Sequence, residues 1–280
     1  MSGAWWINDV PAHLVEVTDR GLAYGDGLFE TIAVDQGSPR LLELHLDRLL
    51  AGAGRLGLPA PDRIWLADTA RSRVTGQGNA VLKLLLTRGP AGRGYAPPRT
   101  ATPTLAMGLL PRELAPPAHY RDGITAGLSG VPASLSPALA GLKTLGRLEQ
   151  VLAAAERQAA GFAESLMCDP DGRLVSGTMS NLFLVRAGML LTPLLDRSGV
   201  HGVMRRLVLE LAPGLGLEVR EQRLPAAVLE EADEIFVCNA LIGLWPVSAI
   251  GRWRRTPGPV TRRIAAALAA RGVVECAAAC

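Results

Sequence analysis

The sequence predicts an α+β fold in two sub-domains, and two observations carry that reading. Short strand-like segments mix irregularly with helical ones and no regular βαβ repeat appears, which argues against a doubly wound sheet. A stretch over residues 111–120 holds Pro111, Pro116 and Pro117 and resists both regular structures. The chain divides accordingly into residues 1–115, an interdomain linker over 116–122, and residues 123–280. With 280 residues, 49% of them hydrophobic, there is enough apolar material for one large core or two smaller ones.

Each element follows from pattern and punctuation. Residues 5–7 read as a strand, Asn8-Asp9 as its turn and the alternating residues 14–17 as its partner. Gly21, Gly25 and Gly27 make the next segment a shaped loop. Residues 29–34 form a strand, and residues 42–56 carry Leu42, Leu46, Leu49, Leu50, Ala53 and Leu56 at helical spacing. A second helix is expected over 62–74, strands over 80–87 and 104–110, and a polar loop between them. Beyond the linker come a strand over 124–128, a helix over 145–160 and a strand over 163–168, closed by the turn Asp169-Pro170-Asp171-Gly172. Strands over 182–185 and 189–191 precede a helix over 203–211. A strand over 217–220, a short helix over 227–231, a buried strand over 234–238 and a terminal helix over 259–271 complete the chain.

Composition excludes several function classes. No apolar run approaches the roughly 18 residues of a membrane span, and the N-terminus lacks a basic region followed by an apolar one, so neither a membrane nor a secretory role is expected. The net charge is +3 but the arginines are scattered, with no basic block suited to nucleic acid. The four histidines are dispersed and the four cysteines match no zinc spacing, so no metal site is expected. Cys168 and Cys238 lie in apolar runs and read as buried thiols; Cys276 and Cys280 read as exposed. The whole describes a cytoplasmic protein without structural disulfides.

Four features carry chemistry. Lys143 follows Gly141 and precedes a helix. Arg48 lies three residues after His45 on one helix face. The turn from Gly199 through His201 and Gly202 opens a helix at Val203, where free N–H groups and the helix dipole suit a phosphate. The loop Arg88-Gly89-Pro90-Ala91-Gly92-Arg93-Gly94-Tyr95 offers two guanidinium groups, which match carboxylates bidentately. Taken singly, each also fits an ordinary surface residue, salt bridge, helix cap or mobile hairpin.

Their order is more telling. Asp19-Arg20-Gly21 with Tyr24-Gly25-Asp26-Gly27-Leu28-Phe29-Glu30, then His45-Leu46-Asp47-Arg48-Leu49, Lys143, Ser180-Asn181-Leu182-Phe183, residues 199–205, and Cys238-Asn239-Ala240-Leu241 leading to Pro246-Val247, form one series. The chain resembles the class IV, or fold type IV, pyridoxal-phosphate enzymes over residues 6–247. Within them, the loop 88–95 and the run Leu142-Lys143-Thr144-Leu145-Gly146-Arg147-Leu148-Glu149-Gln150 look most like the aminodeoxychorismate lyases. Branched-chain aminotransferases usually carry tyrosine where Leu148 stands.

The resemblance implies a two-domain fold like that of D-amino acid aminotransferase, and a homodimer acting on a small anionic substrate. It implies pyridoxal 5'-phosphate held covalently by Lys143, the catalytic base. Arg48, the N–H groups at Gly202 and Val203, and Asn239-Ala240 would hold the phosphate. Arg93 and Arg88 would face substrate carboxylates, with Tyr24 and Tyr95 as pocket walls. The implied reaction forms 4-aminobenzoate and pyruvate from 4-amino-4-deoxychorismate, on the way to folate. The alternative is a class IV aminotransferase acting on D-amino acids, branched-chain amino acids or amines.

One departure stands out. The family places a glutamate against the pyridine nitrogen, four residues after a turn glycine. Here Gly172 is followed by Ser176 at that position, while Asp169 and Asp171 fall in the preceding turn. A hydroxyl can hydrogen-bond the nitrogen but supplies no charge to keep it protonated. The expected consequence is a lyase with little aminotransferase activity; the competing account is a chain that has lost turnover.

Overall fold

The computed structural model describes residues 3–279 and forms two compact units. Unit 1 comprises Met1–Glu113 with Leu142–Gly146, and unit 2 comprises Leu114–Gly141 with Arg147–Cys280. The chain therefore crosses between units again on either side of Lys143. Segment 116–122, read from its prolines as a linker, carries a short helix that packs within unit 2. Cys280 and the first two residues lie outside the described residues.

Unit 1 contains β1 (Ala4–Ile7), β2 (Val10–Pro11), α1 (Arg20–Tyr24), β3 (Gly27–Asp35), β4 (Ser38–Pro39), α2 (Leu42–Leu56), α3 (Arg63–Val74), β5 (Ala80–Thr87) and β6 (Thr104–Pro111). Its antiparallel sheet runs β2-β1-β6-β5-β3-β4. Asn8 and Asp9 both take positive φ, 48° and 67°, as a tight hairpin turn requires. That turn brings Val10–Pro11 opposite β1, so residues 14–17 form no strand and Leu14, Val15 and Val17 stay exposed. The glycine-rich loop also departs from expectation: Asp19 caps a helical turn through Gly21 N, and Gly25 ends it in the left-handed conformation.

The periodic leucines of α2 explain its place. Leu42, Leu46, Leu49 and Ala53 are buried against Leu28, Ile32 and Val34 of β3 and Leu82, Leu84 and Leu86 of β5. A Cβ at Gly52 would lie 2.9 Å from Leu28 Cδ1, so glycine lets α2 approach β3 closely.

Unit 2 contains α4 (Pro117–Arg121), β7 (Ile124–Leu128), α5 (Leu148–Ala159), β8 (Glu164–Cys168), β9 (Leu174–Gly177), β10 (Asn181–Arg186), β11 (Met189–Pro193), α6 (Val203–Leu211), β12 (Val219–Gln222), α7 (Val228–Glu231), β13 (Glu234–Asn239), β14 (Gly243–Ile250), β15 (Trp253–Arg254) and α8 (Pro259–Ala270). Its sheet runs β12-β11-β10-β13-β14-β7-β8-β9, with β15 on β14; β7 pairs in parallel with β8 and β14, and β11 with β12. Phe183 and Phe236 face one another across β10 and β13, stacked at 5.0 Å. Cys276 was expected to be exposed, but a 3₁₀ turn over Val274–Ala279 packs against α8 and buries it. No described helix is long and apolar enough to cross a membrane, and no described cluster could hold a metal ion.

Candidate active site

In unit 1 the site is built on β3. Glu30 is 1% exposed and accepts from Arg48 Nε at 2.7 Å and Arg48 Nη2 at 2.5 Å, while His45 Nδ1 lies 2.6 Å from its second oxygen. His45 and Arg48 reach it together because three residues on a helix return to one face. Burial alone would raise the Glu30 carboxyl; the Arg48 charge and the His45 and Arg48 hydrogen bonds outweigh it and hold it at about 2. Burial pushes His45 below its ordinary value, with Glu30 pulling the other way. The neutral ring then donates from Nδ1 to Glu30, and its buried Nε2 has no hydrogen-bond partner among the described residues.

Segment Leu142–Gly146 runs along the start of β3. Phe29 N donates to Lys143 O at 3.0 Å and Leu145 N to Gly27 O at 3.0 Å. This fixes the backbone of Lys143 and sets its Nζ 4.1 Å from the centroid of the Phe29 ring. Lys83 of β5, in register with Thr31, brings a second ammonium group to 5.7 Å from the same ring. Two cations at one aromatic side chain make a positive locus suited to an anion.

The loop after β5 divides its two arginines. Arg88 is 8% exposed, and its guanidinium donates to both Asp26 oxygens, to Leu56 O and to Gly57 O. All of its nitrogens are spent on the fold, so the expected substrate role is withdrawn from Arg88. Burial by itself would raise Asp26; Arg88 and Arg20 outweigh it and leave the carboxyl below its usual range. Arg93 is exposed, with no intramolecular partner among the described residues. Tyr24 and Tyr95 pair at 5.5 Å with their rings tilted.

In unit 2 a turn over 177–180 joins β9 to β10. Glu164, fully buried, accepts from Ser165 N, Thr178 N, Thr178 Oγ1 and Ser180 Oγ, which fixes that turn. Ser176 sits just before it, half-buried, its hydroxyl donating to Gly177 O at 2.9 Å. Asn181, just after it, donates to Val200 O at 2.9 Å, and a side chain at Gly202 would overlap Asn181 Oδ1. Gly202 caps α6 with no side-chain hydrogen bond, which leaves the first-turn N–H groups for an anion. Asn239 donates to Met179 O at 3.1 Å and accepts from Leu241 N and Ile242 N, so the same turn orders the backbone around Ala240. Ser176 and Asn239 thus bond to the turn over 177–180, and Asn181, directly after it, packs against Gly202 at the start of α6.

The model of the family described as amino-transferase class IV matches residues 27–250. The chain belongs to the class IV aminotransferase family. Its sequence is 36% identical over 250 residues to an aminodeoxychorismate lyase of Vibrio harveyi, covering 88% of this chain and 91% of that protein. Its structure is similar to that of 4-amino-4-deoxychorismate lyase from Pseudomonas aeruginosa, with TM-score 0.91, 45% identity and coverage of 95% and 98%. It is also similar to a T.th. branched-chain amino acid aminotransferase solved with pyridoxamine 5'-phosphate, with TM-score 0.85, 26% identity and coverage of 97% and 94%. The two-unit α+β architecture is that of the class IV enzymes.

Sequence reasoning named Glu30 and His45 only as members of matching motifs, without a role, and passed over Lys83 and Glu164. Lys83 had a signal, a lone charge in the otherwise apolar run Ala80-Val81-Leu82-Lys83-Leu84-Leu85-Leu86. Glu164 had none, because its donors come from a turn whose shape is not written in residue types.

The buried acid predicts a pH dependence. On unfolding, His45 regains proton affinity and Glu30 returns toward 4.5, so the unfolded chain binds more protons in acid and stability falls as pH drops. The loss begins below about 6.5 through His45 and continues from 4.5 to about 2 through Glu30. The Glu30 part is on the order of 3 kcal/mol. Glu30→Gln should flatten the lower part of a urea-denaturation profile against pH and reduce stability at neutrality; a profile with its acid limb intact would contradict this account.

Proposed function

We propose that this chain is a 4-amino-4-deoxychorismate lyase that uses pyridoxal 5'-phosphate and releases 4-aminobenzoate and pyruvate. The observation that carries the reading is Lys143, its backbone fixed on β3 and its amine over Phe29 beside a second cation, Lys83. The 45% identity to the Pseudomonas aeruginosa lyase favours this reaction over transamination.

The residues present fit the cofactor. Gly202 must lack a side chain because Asn181 fills that space, and the helix it opens has uncapped N–H groups. Arg48 is a guanidinium with Glu30 fixing its fork. These groups, with the backbone near Ala240, are assigned to the phosphate, and Lys143 to the covalent bond. When bound, the cofactor supplies an electron sink conjugated to the substrate amine.

The protein's own work is then proton movement and orientation. Lys143 Nζ, in its free amine form, would remove the C4 proton as general base. The C3–O bond to the enolpyruvyl group breaks, and the same ammonium returns a proton to the departing group, which leaves as pyruvate. Loss of the C4 proton and the ether completes the aromatic ring, so atoms and electrons balance without an added oxidant. Arg93 and Lys83 are assigned to the substrate's two carboxylates and Tyr24 and Tyr95 to the pocket wall. Ser176, uncharged, is assigned to the pyridine nitrogen in place of an acid.

The chain is also assigned to a homodimer in the cytoplasm. Leu14, Val17 and Leu22 in unit 1, and Leu148, Val151 and Leu152 along α5, are exposed apolar side chains that a second copy would cover. The unit 1 group adjoins a cavity of about 430 Å³ lined by Trp5, Val15, Leu85 and Leu145 among others. Cys168, Cys238 and Cys276 are free thiols, as a reducing compartment allows.

Mixing the purified protein with aminodeoxychorismate should yield 4-aminobenzoate and pyruvate in equal amounts, and Lys143→Ala should remove turnover by at least about 10⁴-fold. Accumulation of pyridoxamine phosphate with an amino donor, and no aromatic product, would instead establish the aminotransferase reading. Ser176→Glu should raise half-transamination by about tenfold or more while changing lyase turnover less; unchanged rates in both would remove Ser176 from the argument. Light scattering should give twice the monomer mass, and Leu148→Glu with Leu152→Glu should shift the population to monomer; a wild-type monomer at micromolar concentration would refute the dimer.

A further inference from the structure

We propose that Arg20 is a specificity-determining positioning residue: its guanidinium sets the tip of the loop over residues 88–95, and so aims Arg93 at the anionic substrate. The inference rests on the proposed contact between Arg93 and a substrate carboxylate, and deepens it.

The loop has a root and a tip, held by different means. The root is tied to the segment around α1 by backbone bonds: Arg88 N to Asp26 O at 3.2 Å, Arg20 N to Gly89 O at 3.0 Å and Ala91 N to Thr18 O at 3.2 Å. The Arg88 side chain reinforces it through Asp26, Leu56 and Gly57. Nothing in that set depends on the Arg20 side chain. The tip has no backbone bond among the described residues. Arg20 Nη1 donates to Gly94 O at 2.9 Å and Nη2 to Tyr95 O at 2.9 Å, the two carbonyls immediately beyond Arg93. Tyr24 supplies the remaining polar contact, its hydroxyl accepting from Gly94 N at 3.2 Å.

Arg20 is itself over-determined. It is 4% exposed, its Nε donates to Asp26 Oδ2 at 2.8 Å, and its Cζ lies 4.8 Å from the centroid of the Tyr24 ring. One planar fork therefore reaches a carboxylate on one side and two consecutive carbonyls on the other. An ammonium has no such fixed fork, so lysine would keep the charge toward Asp26 while losing the paired grip on the tip. Asp26 joins the two ends of the loop, because its Oδ2 receives both Arg20 Nε and Arg88 Nε. Gly94 takes φ +107°, a conformation that glycine adopts readily and that turns the chain directly after Arg93. The exposed Arg93 thus projects from a strand of loop whose next two carbonyls are clamped.

The test compares Arg20→Lys, Arg93→Gln and Tyr24→Phe in the holoenzyme. Arg20→Lys should raise KM for aminodeoxychorismate about tenfold with kcat within about twofold, and leave cofactor absorbance and cofactor affinity unchanged. Limited trypsin digestion, read by mass spectrometry as the fragment ending in Arg93, should be about tenfold faster in Arg20→Lys than in the parent. Should Arg20→Lys fail to fold, Tyr24→Phe, which deletes the acceptor for Gly94 N and keeps the ring, should move both readouts in the same direction. If Arg93→Gln leaves KM unchanged, the proposed carboxylate contact fails. If Arg93→Gln raises KM but Arg20→Lys changes neither KM nor cleavage after Arg93, the inference about Arg20 is overturned. Parallel losses in kcat, cofactor affinity and KM would also overturn it, by making Arg20 a support of the whole unit.

Discussion

The organisation of unit 1 depends on a carboxyl group that could not survive burial alone. Glu30 is almost fully enclosed, and an unpaired charge there would cost several kcal/mol. Arg48 and His45, one helical turn apart, meet it from α2 and so dock that helix on β3 at one register. The ion pair stiffens the guanidinium that the phosphate reading requires. It also stiffens β3, along which the Lys143 segment forms its bonds. An apolar trio of the same volume could pack as well, but it would present no oriented cation. The chemistry proposed for the unit is therefore built on the interaction that holds it together.

Asp26, four residues earlier, applies the same principle to the loop after β5. Its carboxyl is partly exposed and shared between Arg20 and Arg88, so it links the short helix before β3 to the loop after β5. Glu30 serves the covalent and phosphate end of the proposed chemistry, and Asp26 the substrate end. Between the two acids in sequence lies Phe29, the ring beneath Lys143. This proximity explains why so short a segment, residues 19–30, carries so much of the resemblance to class IV enzymes.

Much of this was legible in the sequence where local rules decide. The leucine spacing of α2, the run of β5 and the helix opening at Val203 appear at their expected positions. Legibility failed where backbone conformation or a partner distant in sequence decides. Residues 14–17 alternate like a strand, but the positive φ of Asn8 and Asp9 gives the pairing to Val10–Pro11. Arg88 looked like a ligand because its four acceptors, two of them carbonyls at the end of α2, leave no trace in residue type. Lys143 was readable as a chemical residue through its company, yet its membership of unit 1 follows only from the bonds to Phe29 and Gly27.

Ser176 sits on a complete framework of hydrogen bonds. Buried polar groups cost stability when their partners drift, so an ordered turn needs each of them satisfied. Here the surroundings of Ser176 are complete. Glu164 retains its amide and hydroxyl donors, Gly177 leaves the space that Glu164 and Ser180 occupy, and Asn181 and Asn239 both keep their backbone partners. Ser176 therefore stands on an ordered turn. With Ser176 assigned to the pyridine nitrogen as proposed, that residue supplies no charge there, and a reaction that must store charge in the cofactor is penalised. One that discharges electrons into a leaving ether, with an aromatic ring forming as it goes, is penalised less. An ordered frame holding a neutral residue accords with the elimination proposed for this chain.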